Sequence, residues 1–219
     1  MSTKSKIFLA DARLAAEAIV QLLEPACERS VIAGSIRRQA ALVGDIEILC
    51  QPRLGPHWEI DHVSDVDRHV EWLMPAPKGT LAFDNGEGMP PDCGLRWNSQ
   101  KPANGRCYKR LIWVGQSGPV ERIPVDLFCV LAAASWGALL AIRTGPAEFS
   151  RGLVTQRGQG GAMPHGMQQR DGALWGPAGK IQTPEEEDYF VALGLPYWPP
   201  EERSAERLEE YLAGASPAD

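Results

Sequence analysis

The chain has 219 residues, of which 44% are hydrophobic and 23% are charged, and its formal net charge is −6. This length allows one domain or two small ones, and the hydrophobic share is that of an ordinary globular core. No segment is apolar enough to span a bilayer, and the first residues, MSTKSKIFLADARL, lack the long apolar core of a signal peptide. The composition argues against an integral membrane protein, and we expect a cytoplasmic protein that is not secreted.

The negative charge is concentrated at the carboxyl end of the chain. Residues 184–219 hold ten acidic residues against two arginines, a balance of −8, so the rest of the chain has a balance of +2. Within residues 96–122, six basic residues stand against one acid, Glu121. A local basic face binds phosphates even when a protein is negative overall. The alternative interpretation of this stretch is a solvated loop and hairpin.

Periodicity and turn residues predict a mixed series of helices and strands. In chain order these are an amphipathic helix over 8–28, strands over 30–33 and 44–50, a candidate helix over 60–73, a hairpin of strands over 108–115 and 121–130, helices over 135–142 and from 147, a short sheet within 173–181, and helices over 184–193 and 204–213. Thr183 is the predicted N-cap of the helix over 184–193, with Pro184 at its first position. The Gly- and Gln-rich residues 158–172 are predicted to be mobile.

The five cysteines (Cys27, Cys50, Cys93, Cys107 and Cys129) are odd in number and widely spaced. This pattern indicates reduced, mostly structural thiols rather than a disulfide framework. A zinc site that combines Cys93 and Cys107 with His57 or His62 is an alternative, but its ligands lack the paired spacing of structural zinc sites.

Two carboxylates on one predicted strand are the strongest chemical signal in the chain. Asp45 and Glu47 are two residues apart, so alternation along a strand places them on the same face. Neighbouring carboxylates repel each other unless a cation lies between them. A Gly34-Ser35 turn and two arginines precede them by a few residues, and hard oxygen ligands beside such a turn suit Mg²⁺ and a polyphosphate.

Further motifs extend this pattern along the chain. Residues 34–38 read GSIRR, residues 122–128 read RIPVDLF with Asp126 inside the apolar run, Thr144-Gly145 is followed by Phe149, and residues 183–203 read TPEEEDYFVALGLPYWPPEER. Together they resemble the nucleotidyltransferase superfamily and, within it, the family X DNA polymerases, the group that includes DNA polymerase β. The resemblance covers roughly residues 10–203, with a poorly matched middle over 51–105.

The resemblance implies an α+β fold with two parts. Residues 1–143 would form a nucleotidyltransferase palm, a mixed or antiparallel sheet with helices on one face and an amino-terminal helix. Residues 144–219 would form a small α+β thumb. The lyase domain and fingers subdomain of longer family members have no counterpart in this sequence. We therefore expect a minimal, monomeric palm-plus-thumb form suited to a bacterial or phage-infected cell, with a protein partner as a candidate source of extra grip on DNA.

The resemblance also assigns roles to individual residues. Asp45 and Glu47 would bind two Mg²⁺ ions, for which Mn²⁺ can substitute, and Asp126 would bind the catalytic ion alone and lie near the primer 3′-hydroxyl. The residues implied to bind the nucleotide are Gly34, Ser35, Arg38, Gly44, Thr144, Gly145 and Ser150. The candidate DNA contacts are Lys109, Arg110, Arg122 and Arg143, while Arg37 is expected to face solvent or DNA. The implied reaction is transfer of dNMP from dNTP to the 3′-hydroxyl of a DNA primer on a template, as in gap filling or repair.

Several positions depart from the family pattern. Glu47 stands where the polymerases usually have Asp, and Ile142-Arg143 stand where two aromatic residues usually pack against the sugar. Ser150 replaces an Asn, and Val154 replaces a template-contacting Arg, so we expect weaker template reading and low fidelity. Two alternatives remain open. One is a nucleotidyltransferase that acts without a template or on another acceptor, namely an RNA end, a protein hydroxyl or a small molecule; the other is a non-catalytic nucleic-acid-binding module.

Overall fold

The structure, a computed structural model, describes residues 6–56, 63–73, 94–97, 103–104, 106–114 and 122–214. These residues form a mixed α+β fold that divides into two compact units. The first unit comprises Met1–Ile32 and Ala41–Leu131, and the second comprises Ala33–Ala40 and Ala132–Asp219. The division lies after Leu131, earlier than the boundary expected after residue 143, and the Gly-Ser turn belongs to the second unit.

The described part of the chain contains the following helices and strands, given in chain order. They are β1 (Ile7–Phe8), α1 (Leu9–Leu23), β2 (Cys27–Ile32), α2 (Gly34–Arg37), β3 (Leu42–Val43), β4 (Ile46–Pro52), α3 (Asp65–Leu73), β5 (Gly94–Trp97), β6 (Ala103–Asn104), β7 (Tyr108–Val114), β8 (Arg122–Cys129), α4 (Trp136–Thr144), α5 (Ala147–Val154), β9 (Gln168–Arg170), β10 (Ala173–Gly176), β11 (Gly179–Ile181), α6 (Glu186–Ala192) and α7 (Ala205–Gly214). Short 3-10 turns occur at Glu24–Ala26, Ala133–Ser135, Arg157–Gln159 and Pro200–Glu202.

The first unit is built on a mixed sheet with strand order β2-β4-β8-β7-β5, and β6 also pairs with β7. Strands β4 and β8 run parallel, whereas the other pairs are antiparallel. Because β4 and β8 lie inside the sheet, both carry mostly buried side chains. Helix α1 packs against β2 and β4 through a stripe of buried residues at helical spacing, which includes Ala12, Ala16 and Ile19.

The first helix and the first long strand differ from their predicted limits. Helix α1 ends at Leu23 instead of continuing to residue 28, and a 3-10 turn follows it. Pro25 lies in that turn, where its missing N–H and fixed φ end the α-helical hydrogen-bond pattern. Strand β2 therefore begins at Cys27, three residues before the predicted start at Ser30.

The predicted hairpin is confirmed as two antiparallel strands, β7 and β8, paired from Tyr108↔Phe128 to Val114↔Arg122. Its Gln-Ser-Gly turn lies outside the described residues. Of the candidate helix over 60–73, the structure contains Asp65–Leu73, and residues 60–62 lie outside the described part. The alternative zinc site needs Cys93 and His57 or His62, which also lie outside the described residues.

The second unit contains α2, helices α4 to α7 and a small antiparallel sheet of β9, β10 and β11. Its core is formed by apolar side chains from these helices, from β10 and from the segment after α6, among them Ala141, Phe149, Leu153, Leu174, Phe190, Trp198 and Leu208. Gly137 marks a close approach, because a Cβ atom there would lie 1.8 Å from the carbonyl oxygen of Glu185. The short sheet predicted within 173–181 is present, and it gains a third strand, β9, from the stretch predicted to be mobile.

The start of α6 differs from its prediction. Glu185, not Thr183, is the N-cap, and its side chain and that of Asp188 form a reciprocal capping box. Thr183 is buried and exchanges backbone hydrogen bonds with the segment around Ala134 and Gly137. Its place in the core, rather than its capping propensity, determines its role.

The described cysteines are free thiols, as predicted: Cys27, Cys50 and Cys129 are buried, and Cys107 is exposed. Cys50 and Cys129 are register partners on β4 and β8, and their Sγ atoms are 3.7 Å apart. None of the helices in the described ranges is both long enough and apolar enough to cross a membrane.

Candidate functional site

The sheet of the first unit brings two carboxylates and one arginine into a single row. Glu47 on β4 is the register partner of Asp126 on β8, and Asp126 is the register partner of Arg110 on β7. Register partners on neighbouring strands point to the same face and lie about 4.5–5.5 Å apart. We call Glu47, Asp126 and Arg110 the cross-strand row.

Asp45 lies two residues before Glu47, the member of this row on β4. It lies just before β4, and both Asp45 and Glu47 are half-buried, whereas Ile46 and Ile48 are fully buried. This alternation is the pattern of a strand that buries one face. Asp45 and Glu47 are thus both partly exposed, and the two residues that flank Glu47 are buried.

The Asp126 carboxylate is held by two neighbours on β7. Arg110 donates from Nε to Oδ1 and from Nη2 to Oδ2, each at 2.7 Å, and the Tyr108 hydroxyl donates to Oδ1 at 2.9 Å. The hydrogen bond to Asp126 raises the pKa of the Arg110 guanidinium, which stays charged at all accessible pH values. Tyr108 also stacks on Phe128, with ring centroids 5.1 Å apart. Sequence reasoning missed Tyr108, although strand alternation puts it on the face of Arg110.

The donor set fits Mg²⁺ or Mn²⁺ chemically, since all three candidate ligands are hard carboxylates. Among the described residues, no three His, Cys, Asp or Glu side chains are arranged so that they could hold a metal ion. Each carboxylate oxygen has two acceptor positions, so Oδ1 of Asp126 is filled by Arg110 and Tyr108, while Oδ2 keeps one position open beside Arg110. Asp126 can therefore offer one oxygen to a cation.

The Gly-Ser turn in the second unit has the features of an anion-binding turn. Gly34 has a φ of 60°, a left-handed conformation that favours glycine, and Gln39 closes the turn with the same φ. The Ser35 hydroxyl oxygen is buried and has no hydrogen-bond partner in the described structure. A buried hydroxyl without a partner is rare, and a phosphate oxygen would satisfy it.

Arg38 and the Thr144-Gly145 turn are bound to each other within the second unit. The Nη1 atom of Arg38 donates to the carbonyl oxygens of Thr144, at 2.6 Å, and Gly145, at 3.0 Å. The Ser150 hydroxyl donates to the carbonyl oxygen of Ile142 at 2.6 Å. A Cβ atom on Gly145 would lie 2.5 Å from Phe149 Cδ1, so the start of α5 requires glycine there. The structure thus joins three predicted nucleotide-binding positions, Arg38, Thr144 and Gly145, in one turn.

A buried charged network connects further motif residues of the second unit, and we call it the Glu186 cluster. Arg37 donates to both carboxylate oxygens of Glu186 at 2.8 Å and to the Thr144 hydroxyl at 2.8 Å. Arg203 donates to Glu186 at 2.7 Å, and Tyr197 does so at 3.3 Å. The sequence placed Arg37 in solvent or on DNA; instead, its side chain is 20% exposed and bound to this cluster.

Burial alone would raise the pKa of Glu186, but hydrogen bonds from Arg37 and Arg203 outweigh burial and lower it. The GSIRR, Thr-Gly and carboxyl-terminal motifs therefore meet in one structural network.

The four candidate DNA contacts occupy different environments. Lys109 is 2% exposed and its ammonium group pairs with Asp67, so this structure leaves it no surface to offer to DNA. Arg110 is engaged by Asp126, as described above, and Arg143 is half-buried in the last turn of α4. Arg122, at the start of β8, is exposed. The basic stretch of the sequence is thus partly interior.

No model of a known protein family matches the chain, and no curated protein gives a significant match to it.

Proposed function

We propose that the protein is a nucleotidyltransferase of the family X DNA polymerase type, which adds dNMP from dNTP to a DNA 3′-hydroxyl and releases pyrophosphate. In this proposal the first unit corresponds to a palm and the second to a thumb. The observation that carries it is the parallel register between β4 and β8, which sets Glu47 beside Asp126. Glu47 and Asp126 are far apart in the sequence, and their pairing puts two carboxylates on one face of the sheet.

The carboxylates of the first unit would supply the metal ligands. Asp45, Glu47 and Asp126 would hold Mg²⁺, and Asp126 would do so through Oδ2, which accepts one hydrogen bond from Arg110 in the described structure. Mg²⁺ held by these residues would supply positive charge that stabilises the phosphate oxygens during transfer. Asp126, close to the primer 3′-hydroxyl in this proposal, would accept its proton directly or through water.

Residues of the GSIRR and Thr-Gly motifs would hold the nucleotide. Ser35, with its unpartnered buried hydroxyl, and the Gly34 turn are suited to phosphate oxygens. Arg38 would contribute its guanidinium to the triphosphate, since a planar fork binds phosphate in a bidentate manner. Thr144, Gly145 and Ser150 would position the sugar and base from the turn and the first residues of α5.

The test is extension of a labelled primer by the full chain with Mg²⁺, supplied with each dNTP or rNTP. The substrates are a gapped duplex, a primed template, a single-stranded DNA and a single-stranded RNA. We expect templated extension with dNTPs on the gapped duplex. Extension only of single strands would instead identify a template-independent enzyme. A folded protein that extends no nucleic acid would contradict the proposal and favour a protein or small-molecule acceptor.

Gly44 offers a sharper check of the nucleotide-binding assignment. A Cβ atom at Gly44 would meet nothing within 4 Å, so the fold itself does not require glycine there. We expect Gly44→Ala to change the free energy of unfolding by less than about 0.5 kcal/mol. If the triphosphate passes close to this backbone, KM for dNTP should rise by about tenfold or more.

Gly158→Ala is the matched control, because a Cβ atom there also meets nothing within 4 Å. Equal KM values for the two variants would remove Gly44 from the nucleotide site.

A further inference from the structure

The contact between Arg110 and Asp126 is fixed by the register of the sheet. The two residues are register partners on adjacent antiparallel strands, so their backbones are fixed opposite each other. Tyr108, two residues earlier on β7, adds a third hydrogen bond to the same carboxylate. The Arg110 side chain is 27% exposed and that of Asp126 is 10% exposed, so water screens the pair only in part. This arrangement puts the permanent positive charge of Arg110 beside the Asp126 carboxylate, which the proposed function assigns to the catalytic metal.

A divalent cation and Arg110 compete for the same oxygens. Arg110 occupies one acceptor position on each oxygen of Asp126, and Tyr108 fills the second position on Oδ1. A cation that binds Oδ2 lies next to a guanidinium, and the two positive charges repel each other.

An orienting role for Arg110 would act in the opposite direction. Partners that only hold a metal ligand in position raise metal affinity, and their removal weakens binding by about ten- to a hundredfold. Asp126 keeps two other constraints when Arg110 is removed, namely the Tyr108 hydrogen bond and its register on both sides of β8. The loss of orientation should therefore be small, and the loss of the competing charge should dominate.

We propose that Arg110 is a built-in counter-cation that holds Asp126 in the metal-free enzyme and gives way when the catalytic divalent cation binds. This inference rests on the proposed function. With Arg110 in place, the site has low affinity for free metal. It fills when a nucleotide brings additional phosphate oxygens as ligands. Arg110 thus acts through Asp126, by its charge, and couples metal binding to nucleotide binding.

The experiment is a titration of the full chain with Mn²⁺ in the absence of nucleotide and DNA, with free Mn²⁺ followed by its electron paramagnetic resonance signal. The proteins are wild type, Arg110→Gln, Asp126→Asn and the double variant. Arg122→Gln is the matched control, because Arg122 is an exposed arginine on the same strand as Asp126 and its replacement makes the same change in net charge. Arg110→Lys keeps the charge without the fork and provides a second variant if Arg110→Gln does not fold.

We expect Arg110→Gln to bind Mn²⁺ about tenfold more tightly than wild type, because the charge that repels the cation is gone. Arg122→Gln should change the affinity by less than about twofold, because that charge is exposed and screened. Arg110→Lys should lie between wild type and Arg110→Gln. In the Asp126→Asn background the effect of Arg110→Gln should disappear. The proposed role of Arg110 is wrong if Arg110→Gln and Arg122→Gln bind Mn²⁺ with equal affinity, or if Arg110→Gln binds Mn²⁺ more weakly than wild type.

Those outcomes leave the proposed function intact as long as Asp126→Asn itself weakens Mn²⁺ binding. If instead Asp126→Asn binds Mn²⁺ as wild type does, with and without dNTP, then Asp126 is not a metal ligand. The proposed function and the inference about Arg110 would then both fail.

Discussion

Replacing Asp126 with asparagine should lower the rate of nucleotide incorporation by at least about a thousandfold while the chain remains folded. Asparagine keeps the size of the side chain and one oxygen acceptor for Arg110 and Tyr108, but it removes the negative charge that a catalytic metal requires. Loss of one charged stabilising group in such a site costs about a hundred- to a thousandfold, and loss of a metal ligand and proton acceptor together costs more. The measurement is single-turnover primer extension with saturating dNTP and Mg²⁺.

The fold should tolerate this change. The hydrogen bonds between Asp126 and Arg110 are charge-assisted, and their weakening should cost about 1–3 kcal/mol of unfolding free energy. Asp11→Asn is a suitable control, because it removes a carboxylate from α1 in the same unit, outside the cross-strand row. Near wild-type extension by Asp126→Asn would show that the carboxylate is not part of the chemistry.

Replacing Glu186 with glutamine should lower the free energy of unfolding of the second unit by about 3–5 kcal/mol. Glu186 is 3% exposed and is the only acid that the described structure shows bonded to Arg37 and Arg203. Arg203 is itself buried, and its Nη2 atom already lacks a hydrogen-bond partner in the described structure. Glutamine would leave two arginines without a counter-charge and would point an amide N–H group toward guanidinium N–H groups.

The contribution of Glu186 should also depend on pH. Its pKa is lowered in the folded chain, so its stabilising effect is fully present above the pKa of an unfolded glutamate, about 4.3. The effect is lost as the pH falls through the lower folded value. The difference in stability between wild type and Glu186→Gln should therefore be constant near neutral pH and shrink in acid.

The measurement is denaturant unfolding monitored by hydrogen exchange in peptides from α6 and α7. It reports the free energy of unfolding of the second unit, and repeating it at several pH values gives the pH dependence. Glu187→Gln is the matched control, because Glu187 is the next residue on α6 and is exposed. A Glu186→Gln variant as stable as Glu187→Gln at pH 7 would mean that the Glu186 cluster contributes no net stability.

Local patterns in the sequence are sufficient to predict most of the helices and strands. The alternation of apolar residues in 108–115 and 121–130 predicts β7 and β8, and both strands form nearly over these limits. The helices after Thr144-Gly145 and near the carboxyl end also follow from short-range signals. These elements are set by interactions between residues a few positions apart, which is why a sequence pattern predicts them.

Local sequence patterns fail at positions where buried contacts with distant residues determine the structure. Capping propensity favours Thr183 as the start of α6, but the backbone pairing of Thr183 with the segment around Ala134 places it in the core, and Glu185 caps the helix. Lys109 looks like one of several basic surface residues, yet its pairing with Asp67 allows it to be buried. In both cases a partner distant in sequence outweighs the local preference.

The sequence alone identifies the residue types of the candidate site, namely the carboxylates Asp45 and Glu47 and the Gly34-Ser35 turn, because their spacing is short. The tertiary structure decides how Asp126 and Arg110 relate to them. The parallel register of β4 with β8 sets Asp126 beside Glu47, and the antiparallel register of β7 with β8 sets Arg110 on Asp126. Such registers are determined by which apolar side chains fit together in the whole sheet. A shift of one residue would turn every side chain of a strand to the other face, and no local pattern records the pairing between strands so far apart in the chain.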